Sequence, residues 1–440
     1  MAGVGRAVSA AAGGRPSALK TAVDGRAVSR EKVGLTAPTE TALRAGLARV
    51  GRWLVGGALV GVAAGLGAAL FLWLLDEATE LRSQHEVIVY ALPLAGFALG
   101  AAWQRLGRPI ARGSDLVIDT IAQGGAPIPL RMAPLVLFGS VATHLFGGSA
   151  GREGAAVQIG ASLSDWLASR LGGGAILRRQ LVAAGVAGGF GAVFGTPLAG
   201  AVFGLELVGL RRADKLALIP AAVAAFLGDY VTRGLGLHHT PYPRLPWTDL
   251  TPLLAGKWLL FALGVAAMAL VFTEAMHAAK ALGQRWVPVS SWRLMLGGCL
   301  VVALWRAAGT SDYLGLGVPG ILRAFGDAEL PFAALPWKLT FTIVTLGAGF
   351  LGGEVTPLFF IGATLGNLQA RLLDLPLALG AGVGLAALFG AAANAPLALS
   401  VMAIEIMGWA IAPHVAIVTG VAWLLTRHRS IYAAQLSGQR

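Results

Sequence analysis

A guanidinium and a carboxylate stand side by side at Arg152 and Glu153, inside the glycine-rich stretch GGSAGREGAAVQIGA (147–161). A charge at the centre of a membrane helix costs about 2.5–3.5 kcal/mol on insertion scales, so something around Glu153 has to offset it. Glycines let backbone N–H groups face outward at a helix start. A helix N-terminus, with unpaired donors and partial positive charge, binds anions. The Glu153 carboxylate is itself an anion. It can hold such a site when no ion is present and leave when one arrives. Protonation favours leaving, because the neutral acid no longer competes for the donors. One residue then serves as gate and as proton carrier. The structural alternative is an Arg152–Glu153 ion pair near the surface. Adjacent residues on a helix do not face each other, which disfavours direct pairing.

Further stretches carry matching chemistry. In GGEVTP (352–357), Glu354 takes the position of Arg152 and Val355 that of Glu153. The Thr356 hydroxyl can donate to a small anion; alternatively Glu354 caps its own helix and Thr356 bonds backbone. In RGSDLVID (112–119), Gly113 and Ser114 offer backbone and hydroxyl donors, and Asp115 reads equally well as the N-cap of the following helix. Tyr432, in TRHRSIYAAQ (426–435), follows a basic cluster that marks a cytoplasmic boundary, and on composition alone it reads as an interfacial anchor. Glu206 and Glu405 stand at matched ends of apolar runs and read as helix caps or braces. The seven histidines lack metal-site spacing, and no Walker loop, nucleophile elbow or dinucleotide fingerprint occurs. No metal, no cofactor and no enzymatic activity are expected.

The elements that must position these residues are membrane helices. The 440-residue chain is 56% hydrophobic and 13% charged, about half the charge of a soluble domain at roughly 25%. Its 62 glycines fit close helix packing in lipid. The net charge of +12 does not gather into one dense block, which argues against nucleic acid as a partner; the basic residues fall in the N-terminal tail and between apolar runs. Residues 1–45 read as a flexible basic cytoplasmic tail, and 46–440 as the transport domain. The single cysteine, Cys299, reads as a small packing residue. The run 53–75 is long enough to span a bilayer. Many later runs are shorter and broken by Gly or Pro, as in 182–208, which predicts tilted and broken helices around a wet cavity. The chain also repeats itself. GREGAAVQIGASL (151–163) aligns without gaps to GEVTPLFFIGATL (353–365), and GAVFGTPLAGAVFGLELV (191–208) to GAAANAPLALSVMAIEIM (390–407), so that Pro197 meets Pro396 and Glu206 meets Glu405. Two halves, about 50–235 and 250–435, follow; an odd number of spans between the blocks makes them inverted.

From about residue 50 to the C-terminus these motifs resemble the CLC family of anion channels and anion/proton antiporters. GREGA resembles that family's GREGP, GEVTP stands in the place of its GxFxP, and RGSDL in the place of GSGIP. The absence of a second, internal proton-relay glutamate, whose position is Leu207 here, and the sequence GGEVTPLFF are most similar to the bacterial fluoride/proton antiporter branch, CLC-F. The resemblance implies an all-α polytopic membrane protein of CLC-type inverted-topology repeats. It implies a homodimer in the inner membrane that exchanges fluoride for protons; the alternative is a chloride/proton antiporter or a passive chloride channel of the same family. Glu153 is then the gating glutamate and proton carrier. Glu354, Val355, Thr356 and Tyr432 belong to the anion-binding pathway, with Gly151, Arg152 and Gly154 around the gate. Ser114 joins them as the serine that contacts the anion in chloride transporters.

Overall fold

Apolar runs interrupted by Gly and Pro become helices of very unequal length. The computed structural model describes residues 40–209 and 213–436. The N-terminal tail lies outside the described residues up to residue 39. By its contacts the chain divides after Leu47, and the unit beginning at Ala48 holds nearly all of the helices. The first eight helices are α1 (Glu40–Gln84), α2 (Leu92–Leu106), α3 (Ser114–Gln123), α4 (Met132–Leu145), α5 (Glu153–Leu171), α6 (Gly174–Phe194), α7 (Pro197–Glu206) and α8 (Leu218–Gly234). The next eight are α9 (Pro252–Trp286), α10 (Ser290–Ala308), α11 (Val318–Arg323), α12 (Ala334–Ala348), α13 (Val355–Leu373), α14 (Leu377–Ala392), α15 (Pro396–Met407) and α16 (Ala412–Thr426). A last turn, α17 (Ala433–Leu436), ends the described chain. Among the described residues there is no strand, only a single antiparallel bridge.

Length follows sequence. α1 and α9 are long continuous helices of 45 and 35 residues, each built round an apolar stretch with its charges mostly toward the ends. α7 and α15 start at a proline, which fits the first turn of a helix, and hold only 10 and 12 residues. At about 1.5 Å per residue neither crosses a bilayer core of roughly 30 Å.

The two sets of eight correspond in order, and their contacts are reciprocal. The Glu206 carboxylate, at the end of α7, accepts the N–H groups of Leu397 and Ala398 at the start of α15, at 3.0 and 2.7 Å. The Glu405 carboxylate, near the end of α15, accepts those of Leu198 and Ala199 at the start of α7, at 2.9 and 2.7 Å. Each short helix thus has its orphan donors satisfied by its counterpart's glutamate. Gly151 and Gly353 likewise exchange both backbone bonds, each at 2.7 Å. Such antiparallel exchange is what a two-fold axis between the halves produces.

Glycine sets the closest approaches in both halves. A Cβ on Gly160 would lie 2.2 Å from the Gly185 carbonyl, and one on Gly362 would lie 2.4 Å from that of Gly384. These paired contacts bring α5 against α6 and α13 against α14, backbone to backbone. Cys299 corrects its sequence reading: it is exposed on α10, facing away from the packed interior.

Candidate functional site

Three helix starts meet at one place. α3 begins at Ser114, α5 at Glu153 and α13 at Val355, and all three residues line one small enclosed chamber. The 10, 19 and 19 residues of these helices aim their positive ends at it. Gly154 and Tyr432 complete its polar rim. Val157, Phe190, Phe203 and Leu207 form the apolar wall, with the Phe190 and Phe203 rings stacked at 4.4 Å.

The Glu153 side chain is 2% exposed and reaches across to the other half. Its carboxylate accepts the Thr356 hydroxyl at 2.6 and 2.7 Å and the Thr356 backbone N–H at 3.2 Å. It also accepts the Arg152 backbone N–H at 3.2 Å. A carboxylate therefore fills the donor set at the start of α13. Thr356 bonds Glu153, not its own backbone. One expectation is corrected here: Arg152 Nε does approach Glu153 Oε1, at 3.6 Å. Arg152 is the residue before the first helical one, so the facing rule for residues inside a helix does not govern the pair. The Gly151 N–H is taken by Gly353, which leaves Gly151 a backbone hinge between the halves with no amide to offer.

On either side of the chamber lies a larger cavity. One, of about 560 Å³, shares Ser114 and Tyr432 with the chamber, and these two residues form the partition between them. Arg112, Asp115, Gln158, Lys280, Arg293 and Glu354 also line it. Glu354 does not cap its helix with its side chain; its carboxylate pairs with Lys280 at 3.3 Å. The Ser114 hydroxyl accepts the Gln158 amide at 3.1 Å, which leaves its own proton to donate. Asp115 is not the cap of α3. Gly113, with φ +52°, holds that position, and the Asp115 carboxylate instead accepts the backbone N–H of Ala434 at 2.9 Å. Tyr432 is buried, not an interfacial anchor.

The second cavity, of about 550 Å³, begins at Arg152 and is lined by Asp76, Arg82, Glu86, His238, His239 and Asp312, among others. Burial holds the His239 imidazole, in the loop after α8, down to about pKa 4. It is neutral at neutral pH, so Arg82 and Arg152 supply the positive charge of this vestibule.

Sequence reasoning missed Gln158, Lys280 and Arg82. Lys280 stands in the last two turns of α9, after Glu274, and a charge in a largely apolar helix was the available signal.

A family profile described as voltage gated chloride channel matches residues 95–427. The chloride/fluoride channel protein of Pseudomonas syringae pv. tomato is 44% identical over 403 residues, covering 88% of this chain and 87% of that protein. The H(+)/Cl(-) exchange transporter ClcA of Vibrio cholerae is 27% identical over 386 residues, covering 79% and 80%. Among solved structures, a CLC-type fluoride/proton antiporter superposes with a TM-score of 0.84 at 33% identity, over 90% of this chain and 99% of that one. A slow cyanobacterial Cl-/H+ antiporter, 20% identical with a TM-score of 0.77, shares the fold over 88% of this chain and 98% of its own.

Proposed function

The chain belongs to the voltage gated chloride channel family, and from that premise we propose that it is a proton-coupled antiporter that exports fluoride through the chamber at Glu153. The observation that carries this reading is the seating of the Glu153 carboxylate on the Thr356 hydroxyl and N–H at a helix start. Donors that hold one small anion hold another. The seat takes either the carboxylate or a fluoride, and a fluoride that arrives displaces the acid. Once protonated, Glu153 no longer competes as an anion, and it carries its proton to the opposite side as it swings. The same side chain thereby ties anion movement to proton movement.

Fluoride is small and strongly hydrated, so its water has to be replaced by several short donors. Thr356 and Ser114 hydroxyls, the helix-start amides and the Tyr432 phenol form that set. Phe190, Phe203 and Leu207 keep the chamber dry, which strengthens each polar contact. Leu207 occupies the place where a second proton-carrying glutamate would stand, so Glu153 alone carries the proton through the chamber. Chloride is the second reading. The Ser114 hydroxyl on the partition favours it, because an extra donor there suits a larger anion as well. The family also supports a homodimer in the bacterial inner membrane, each subunit holding its own pathway in contact with lipid.

Reconstitution into liposomes with fluoride and chloride electrodes and a pH probe tests this. A fluoride gradient is expected to drive protons the opposite way in the natural protein. In Glu153→Gln, fluoride still moves and protons do not. Proton movement that persists unchanged in that variant removes Glu153 from its role. Proton pumping driven equally by chloride selects the second reading.

A further inference from the structure

We propose that Asp115 is a positioning residue for the gate between the chamber and the Lys280-side vestibule: its carboxylate caps α17 and so fixes Tyr432 opposite Ser114. The proposal rests on the functional reading above, in which Ser114 and Tyr432 form the partition the anion passes.

α17 has four residues. A helix that short has no stability of its own, because nucleation is unfavourable and its first N–H groups have no partner inside it. Its place has to be imposed from outside, and the structure shows how. The Ile431 N–H bonds the Ala392 carbonyl at the end of α14, at 2.9 Å. The Gln435 amide donates to the carbonyls of Leu207 and Ala393, both at 2.9 Å. Ser430 Oγ accepts the Tyr432 N–H at 3.0 Å. These bonds hold the segment to α7 and α14, on its own side of the partition.

The Asp115–Ala434 bond reaches the opposite side of the partition. It runs from Asp115 Oδ1 to the Ala434 N–H at 2.9 Å, across 319 residues of chain. Asp115 follows Ser114 directly, and Ala434 is two residues past Tyr432. One bond therefore ties together the two backbone segments that carry the facing side chains. Tyr432 is 6% exposed, and its ring has to move for the partition to open. The carboxylate sets how far the Tyr432 segment can drift from α3 when it does.

The test uses the full chain in lipid nanodiscs and liposomes with three variants: Asp115→Ala, Asp115→Asn and Asp115→Ala combined with Tyr432→Ala. Asn retains an oxygen that can accept the Ala434 N–H; Ala does not. Hydrogen–deuterium exchange of the peptide covering 430–436 is expected to quicken at least tenfold in Asp115→Ala and to stay near the natural rate in Asp115→Asn. In flux assays Asp115→Ala moves severalfold fewer protons per fluoride, Asp115→Asn keeps the natural ratio, and the double variant is no worse than Tyr432→Ala alone. Unchanged exchange in Asp115→Ala overturns the proposal. So does an Asp115→Asn that fails as Asp115→Ala does, which would make the charge and not the bond responsible, and so does additivity in the double variant. A natural protein that moves no anion defeats the functional reading, while the exchange measurement still decides whether Asp115 holds the segment.

Discussion

Thr356 offers Glu153 two donors from one residue, a hydroxyl and a backbone N–H, and a transported anion would meet the same pair. Thr356→Val keeps the shape and the N–H and removes only the hydroxyl. A hydrogen bond to a charged group contributes about 1.5–3 kcal/mol, which is roughly a tenfold to hundredfold effect on occupancy. Glu153 loses the hydroxyl too, so part of the effect cancels. Fluoride depends on short, strong donors more than chloride does. Thr356→Val is therefore expected to slow fluoride exchange about tenfold more than chloride exchange, measured by competitive efflux from liposomes. Equal slowing of both anions would mean that the hydroxyl only seats the carboxylate and takes no part in choosing the ion.

At the scale of the element, the short helices α7 and α15 depend on each other's glutamates. Glu206 and Glu405 each accept two N–H groups with two carboxylate oxygens. Gln in either place retains one acceptor and turns an NH₂ toward the second N–H. Glu206→Gln is expected to destabilise the protein by about 1.5–3 kcal/mol, seen as a lower thermal midpoint in detergent. Glu405→Gln is expected to lower the midpoint in the same direction, because its carboxylate makes the matching pair of bonds to Leu198 and Ala199. The two caps sit at opposite ends of the helix pair, so the double variant should show the sum; a strongly non-additive result would mean that the pair melts as one unit.

Local signals made this part of the fold legible. Glycine before a carboxylate or a serine marked the helix starts at Ser114, Glu153 and Val355, and aligned Pro and Glu residues marked α7 and α15 as counterparts. Partners distant in sequence left no such mark. Asp115 reads as a local cap and in fact bonds Ala434, and nothing in its neighbourhood names that partner. Cys299 reads as packed and is exposed, because in a membrane both the lipid face and the buried face of a helix are apolar, and periodicity no longer separates them.

Across the whole molecule, the distribution of charge predicts which vestibule faces the cytoplasm. α1 carries Arg49 and Arg52 near its start, while Asp76 and Arg82 toward its end line the Arg152-side vestibule. The cluster Arg427–Arg429 lies a few residues before Tyr432. Arg108 and Arg112 line the Tyr432-side vestibule as well. An excess of Lys and Arg marks the cytoplasmic face, so the Tyr432 side is expected to be the inner mouth and the Arg152 side the outer one. Fluoride leaving the cell would then pass Lys280 and the Ser114–Tyr432 partition before it meets Glu153, and protons would reach Glu153 from the Arg152 side. With Cys299 replaced by Ala, a cysteine can be placed at either mouth. A membrane-impermeant maleimide is expected to label His238→Cys in right-side-out vesicles, and Arg112→Cys only in inverted ones. The opposite pattern would reverse the direction of the pathway while leaving the chamber chemistry as it stands, because the seat at Thr356 is built from both halves and does not depend on which of them faces out.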